Sequence, residues 1–135
     1  MKISEYSKVK FYKSFDTYRV AKDFADPMYN YLVYGYSPGG FFTAVLANDF
    51  MGAMPRCHPA NTVQAIKNLV VWIINELQQG ICWGSYDVVD AWLKVPAEER
   101  RAFLEQKRLI YTEADEIIMT LKASPIEDIL LHNTL

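Results

Sequence analysis

Four residues carry donor atoms suited to zinc: Cys57, His58, Cys82 and His132. Zinc sites usually pair their ligands about two to five residues apart. Cys57 and His58 are adjacent and point differently along the backbone, and His132 stands near the end of the sequence. No metal site is expected. No base is placed beside either cysteine, so both read as structural thiols rather than nucleophiles. The carboxylates Asp87, Asp90, Glu98, Glu99, Glu113, Asp115 and Glu116 fall in first helical turns, where the helix dipole explains them. No catalytic set and no cofactor are assigned.

Two polar constellations remain. In Ser37-Pro38-Gly39-Gly40, Ser37 reads as an N-cap with Pro38 at the first helical position. That reading puts Gly39 and Gly40 where backbone N–H groups lack intrahelical partners, open to an anion or to another backbone. The spacing matches neither the phosphate-binding loop nor the dinucleotide fingerprint, and no strand precedes it. The second constellation, Asn48-Asp49, is a polar pair on an otherwise apolar helix. Asp49 follows Leu46 by three residues and Val45 by four, so it borders their buried face. A buried carboxylate needs a partner, which a helix starting near Asn61 or the guanidinium of Arg56 would supply. A structural network is expected there ahead of a catalytic role.

A third candidate is electrostatic. Residues 1–25 balance at +3 and the rest of the chain at -5, within a formal net charge of -2. Lys8, Lys10, Lys13 and Arg19 interleave with Tyr12 and other aromatics, a mixture that suits phosphate contact with base stacking. It equally suits a segment that packs its rings and solvates its lysines.

The elements that must hold these residues read as helices. With 135 residues, 51% hydrophobic, the chain fits one ordinary soluble domain and excludes a disordered one. Two cysteines exclude a disulfide scaffold. The absence of a Lys-led apolar leader points to a cytoplasmic protein with reduced thiols. Pro27 to Asn48 is a run of 22 uncharged residues, but Asn30, Gly35, Ser37, Pro38, Gly39 and Gly40 break it, so no membrane span is expected.

Helix starts are predicted at Asp26-Pro27, with a stop at Gly35, and at Ser37-Pro38, running through Phe50 towards Pro55. A third helix from near Pro59 to Leu77 carries Val63, Ile66, Val70, Ile73 and Leu77 at alternating spacings of three and four. Its apolar girth marks it as central and mostly buried. Ser85 caps a fourth helix, Pro96 opens a fifth, and Thr112 offers a capping box that can divide the fifth in two. Ser124-Pro125 starts a last segment through Ile129 and Leu131. Val9, Phe11, Lys13 and Phe15 alternate as in a short strand or extended arm. The expected fold is a single, mostly α domain, a bundle of about five or six short helices. A basic aromatic arm (1–25) precedes a core (26–95) and C-terminal helices (96–135).

The core carries a resemblance. Ser37-Pro38-Gly39-Gly40-Phe41-Phe42-x-Ala44-Val45-Leu46-x-Asn48-Asp49-Phe50, preceded by Tyr31 to Gly35 and followed by Asn61, Trp83-Gly84-Ser85 and Trp92, resembles a pattern in small bacteriophage and prophage proteins of uncharacterised function. It spans about Met28 to Leu93. Phe42 and Phe50 stand where leucines are usual and Gly40 where serine is common. The acidic residue usual before the Asn61 position is missing. The resemblance implies a phage origin and a helical module, and it transfers no activity.

Tyrosine and tryptophan are enriched at interfaces. The leading expectation is therefore an accessory protein that binds and modulates a host protein or defence complex without catalysis. Ser37, Gly39, Gly40, Asn48, Asp49, Trp83 and Ser85 are its candidate ligand or interaction residues. Nucleic-acid binding through Lys8, Lys10, Tyr12, Lys13 and Arg19 is the first alternative. A small-ligand or anion site at Ser37–Gly40 is the second. Homodimerisation is compatible with all three. Mimicry of DNA is not expected, because a net charge of -2 falls far short of a duplex with one charge per ~1.7 Å.

Overall fold

The basic N-terminal stretch is a helix, neither a strand nor an arm. In the structure, a computed structural model that describes residues 2–123, α1 spans Glu5–Thr17. Ser4 caps it, its hydroxyl accepting from the Ser7 N–H at 3.2 Å. Ser7, Phe11 and Phe15, four apart, form the buried face. That helical spacing prevails over the strand-like alternation, whose Val9 is 52% exposed.

Seven further α-helices follow among the described residues: α2 (Lys22–Tyr29), α3 (Gly40–Leu46), α4 (Phe50–Ala53), α5 (Val63–Glu76), α6 (Tyr86–Leu93), α7 (Ala97–Gln106) and α8 (Glu113–Ala123). A π-helical turn covers Asn30–Tyr34 and a 3₁₀ turn Met54–Arg56. The mostly α class is as expected, and the helices are shorter and more numerous than five or six. The segment expected from Ser124 through Leu131, and His132, lie outside the described residues.

Proline misled one start. α2 begins at Lys22, so Asp26 and Pro27 are inside it rather than at its cap. Pro27 has no N–H for the carbonyl four residues back, and the chain widens into the π turn directly after Tyr29. Two outside donors reach carbonyls of that turn. Trp92 Nε1 donates to Tyr31 O at 3.0 Å, and Arg100 Nε donates to Val33 O at 3.1 Å. Gly35 stops the turn in the left-handed region at φ 68°, as expected.

The helix expected to run from Pro38 to Pro55 is divided. Asn48 adopts φ 61° and ends α3, after which Asp49 N-caps α4. α5 begins at Val63, capped by Thr62 rather than by a residue near Pro59. It buries one face, Ile66, Leu69, Trp72 and Ile73, and Trp72 packs on α1, its ring centroid 4.5 Å from that of Phe15. Its outer face leaves Val63 79% and Ile74 56% exposed, so it is not the mostly buried helix that its composition suggests. Ser85 caps α6 as expected, accepting from Val88 N–H at 3.2 Å. Arg108, at φ 59°, separates α7 from α8, and Thr112 accepts from Asp115 N–H at 3.1 Å.

A buried ionic knot closes the bundle. The Arg101 guanidinium donates to Glu116, to Lys2 O at 3.1 Å and to Tyr111 O at 3.3 Å. Glu116 also accepts from the Ser4 N–H at 2.9 Å and from the Ser4 hydroxyl. One carboxylate thereby joins α8, α7 and the start of α1. Burial alone would raise its pKa, but hydrogen bonds from Ser4, Ser7 and Arg101 outweigh that and hold it below the ordinary value.

Candidate functional site

The Asn48-Asp49 segment and the Trp83-Gly84-Ser85 segment meet at one junction. Gly84 N–H donates to Leu46 O at 2.8 Å, joining the loop before α6 to the end of α3. Beside it, both carboxylate oxygens of Asp49 are engaged. Oδ1 accepts from Gly52 N–H at 2.9 Å, and Oδ2 accepts from the Tyr86 hydroxyl at 2.6 Å. These bonds keep Asp49 below the usual carboxylate range and raise the Tyr86 phenol. Asp49 is thus the cap of α4, not of a helix near Asn61, and each of its oxygens serves a structural bond. Asn48, exposed and left-handed, supplies the turn that makes the cap.

Beyond that cap lies a short apolar face. Ala53 is fully buried and faces inward, which turns Phe50, Met51 and Met54 outward on neighbouring rows of the helix and its 3₁₀ extension. Their exposures are 42%, 88% and 50%. Tyr86, 46% exposed, is held at the edge of this face by its bond to Asp49. Methionines and aromatics exposed together are the composition of adaptable binding surfaces.

The glycines at 39 and 40 do not sit at the second and third helical positions. Gly39 is the N-cap of α3, at φ 94°, and Gly40 is its first residue. Ser37 is exposed, and its hydroxyl accepts from Gly39 N–H at 3.5 Å without capping the helix. A β-carbon on Gly40 would lie 3.1 Å from Arg56 Cδ, so the close approach allowed there is to a cationic side chain. Arg56 donates from Nη1 to Gly52 O at 2.7 Å. Among the described residues, the ion pairs all belong to Arg101.

Trp83 and Ser85 flank Gly84 at the junction. Ser85 is a cap, and Trp83 Nε1 is buried without a hydrogen-bond partner among the described residues. The five nucleic-acid candidates are scattered. Lys8, Tyr12 and Lys13 line a groove that Glu5, Asp16 and Asp26 also line. Lys10 stands 4.5 Å over the Tyr111 ring instead. Arg19 occupies the turn after α1, and Tyr12 donates to Asp26 at 2.7 Å. Mixed signs of charge along the groove weaken its attraction for phosphates.

Cys82 is buried, its thiol pushed up by burial, and Cys57 is half-buried beside Asn61. Among the described residues, no three His, Cys, Asp or Glu side chains group as metal ligands would. Likewise, no helix there is long and apolar enough to cross a membrane.

Sequence reasoning missed Phe50, Met51, Met54 and Tyr86 because it ran one helix through Asp49. An Asp preceding Phe-Met-Gly-Ala-Met is itself a start signal. It also missed Arg100 and Arg101, whose burial no local pattern announces. Comparison with protein-family models, curated proteins and solved structures finds no match to this chain.

Proposed function

We propose that this is an accessory interaction protein of phage origin that binds and modulates a host protein or defence complex without catalysis. The observation that carries this reading is the outward face of Phe50, Met51 and Met54, with Tyr86 pinned beside it by Asp49. An apolar side chain as open as Met51 gains free energy by burial against a partner, at about 25 cal/mol per Å². The polar groups most suited to chemistry serve the scaffold instead: Asp49 and Ser85 cap helices, and Glu116 ties three elements together. The phage-like pattern then encodes the junction that presents the face.

The test is capture from bacterial lysate with the full chain as bait, beside Met51→Glu/Met54→Glu. A stoichiometric host protein retained by the wild type and lost by the variant is expected. No stoichiometric partner, or equal recovery by a folded variant, overturns the reading.

A further inference from the structure

We infer that the cleft between α2, α3 and the chain after Arg56 is a binding site for a small aromatic carboxylate. The cleft, open to solvent, holds about 410 Å³, within the roughly 300–1,000 Å³ usual for small-molecule sites. Phe24, Phe41 and Phe42 form its apolar wall. Their ring centroids are 5.0 to 5.9 Å apart, and Phe42 stands edge-on to both others, at 71° to Phe41 and 81° to Phe24. Phe24 and Phe41 are buried and Phe42 is half-buried, so the wall offers an apolar body a narrow aromatic floor.

The polar groups sit on the exposed rim, and two of them are hydrogen-bonded to the backbone. Arg56 lies against Gly40, where a β-carbon would meet Cδ at 3.1 Å and Nε at 3.4 Å. Its one hydrogen bond among the described residues, from Nη1 to Gly52 O, anchors the guanidinium and leaves the rest of its fork for a ligand. His58 Nδ1 accepts from Ala60 N–H at 3.1 Å, so the neutral ring carries its proton on Nε2 as a second donor. Asp23 is the third rim group. Its negative charge opposes any anion, a dianion more than a single carboxylate, so the ligand's charge is met by the Arg56 fork, whose geometry accepts a carboxylate. The glycine at 40 thus admits an anion site indirectly, through the arginine that lies on it. This inference does not depend on the apolar face at α4.

The experiment titrates the full chain with phenylacetate, its neutral isostere 2-phenylacetamide, and acetate, following amide shifts by NMR. Phenylacetate should bind at ~1 mM or tighter, in line with a ligand of its size. It should move the amides of Phe42, Arg56, Ala60 and Asn61, with the amide and acetate at least tenfold weaker. Arg56→Gln and, separately, Gly40→Ala should each weaken phenylacetate about tenfold or more, while Arg56→Lys recovers part of the loss. Met51→Glu should leave binding unchanged. Equal affinity for phenylacetamide, shifts elsewhere than this cleft, or unaltered binding by a folded Arg56→Gln protein overturns the assignment.

Discussion

The Tyr86 hydroxyl donates to Asp49 Oδ2 at 2.6 Å, closing a contact between residues 37 apart in the chain. The same carboxylate caps α4 through Gly52, so a single side chain sets both the start of the exposed helix and its link to α6. The pair titrates in opposite senses. Asp49 is held low, so its contribution to stability is present above the ordinary carboxylate pKa and fades as pH falls through its lowered value. Tyr86 is held high, so its contribution is present below the ordinary phenol pKa and fades as pH rises through its raised value.

Asp49→Asn is expected to return the Tyr86 phenol towards about 10. NMR titration of the Tyr86 ring carbon that bears the hydroxyl measures it. Asp49→Ala should lower the melting temperature more than Tyr86→Phe, because it removes the cap as well as the acceptor. Equal melting temperatures would contradict the double role.

The knot at Glu116 predicts acid sensitivity. Its folded pKa is depressed, so its stabilisation is complete above the ordinary glutamate value of about 4.3 and fades as pH falls through the lowered folded value. Glu116→Ala leaves Arg101 without its buried partner and should cost roughly 3–5 kcal/mol at neutral pH. The gap between denaturant melts of wild type and variant should narrow as pH falls below about 4.3. A difference that persists undiminished there would contradict the assignment.

Gly35 and Arg100 form a second buried contact. A β-carbon at position 35 would lie 3.0 Å from Arg100 Nη1, at a backbone φ of +68°. Gly35→Ala should therefore destabilise by at least ~1–2 kcal/mol, from the left-handed conformation alone. Arg100 donates to Val33 O and Val95 O without a carboxylate within ion-pair distance among the described residues. Its replacement by Ala uncovers carbonyls at about 1–3 kcal/mol each. Urea melts of the two variants check both values.

The first helix supplies a prediction that separates core from arm. Phe15→Ala should cost roughly 3–5 kcal/mol, because it opens a cavity against Trp72. A solvated arm would tolerate the change, so a loss below 1 kcal/mol in a denaturant melt would return α1 to that role.

What could be read from the sequence was what local spacing encodes. Gly35 as a left-handed stop, Ser85 as a cap and the division near Thr112 follow from short-range chemistry. The errors share one cause: competing local signals that tertiary contacts decide. Asp26-Pro27 is a sound helix start, yet the burial of Phe24 and Ala25 extends α2 back to Lys22. Val9 to Phe15 alternates like a strand, yet Ser4, Ser7 and Glu116 anchor a helix there. Of the site, Asn48 and Asp49 stood out as polar residues in an apolar run. Their partner Tyr86 did not, because nothing local marks a contact across 37 residues.

The role proposed for the face of Phe50, Met51 and Met54 is to bind a host protein. Its most direct measurement places a photo-crosslinking amino acid at position 51 and, in a separate protein, at position 63, where Val63 is also widely exposed. Irradiation in bacterial lysate should give one discrete adduct from position 51 and none from position 63. Adducts of equal yield from both positions, or none from position 51, would contradict the account.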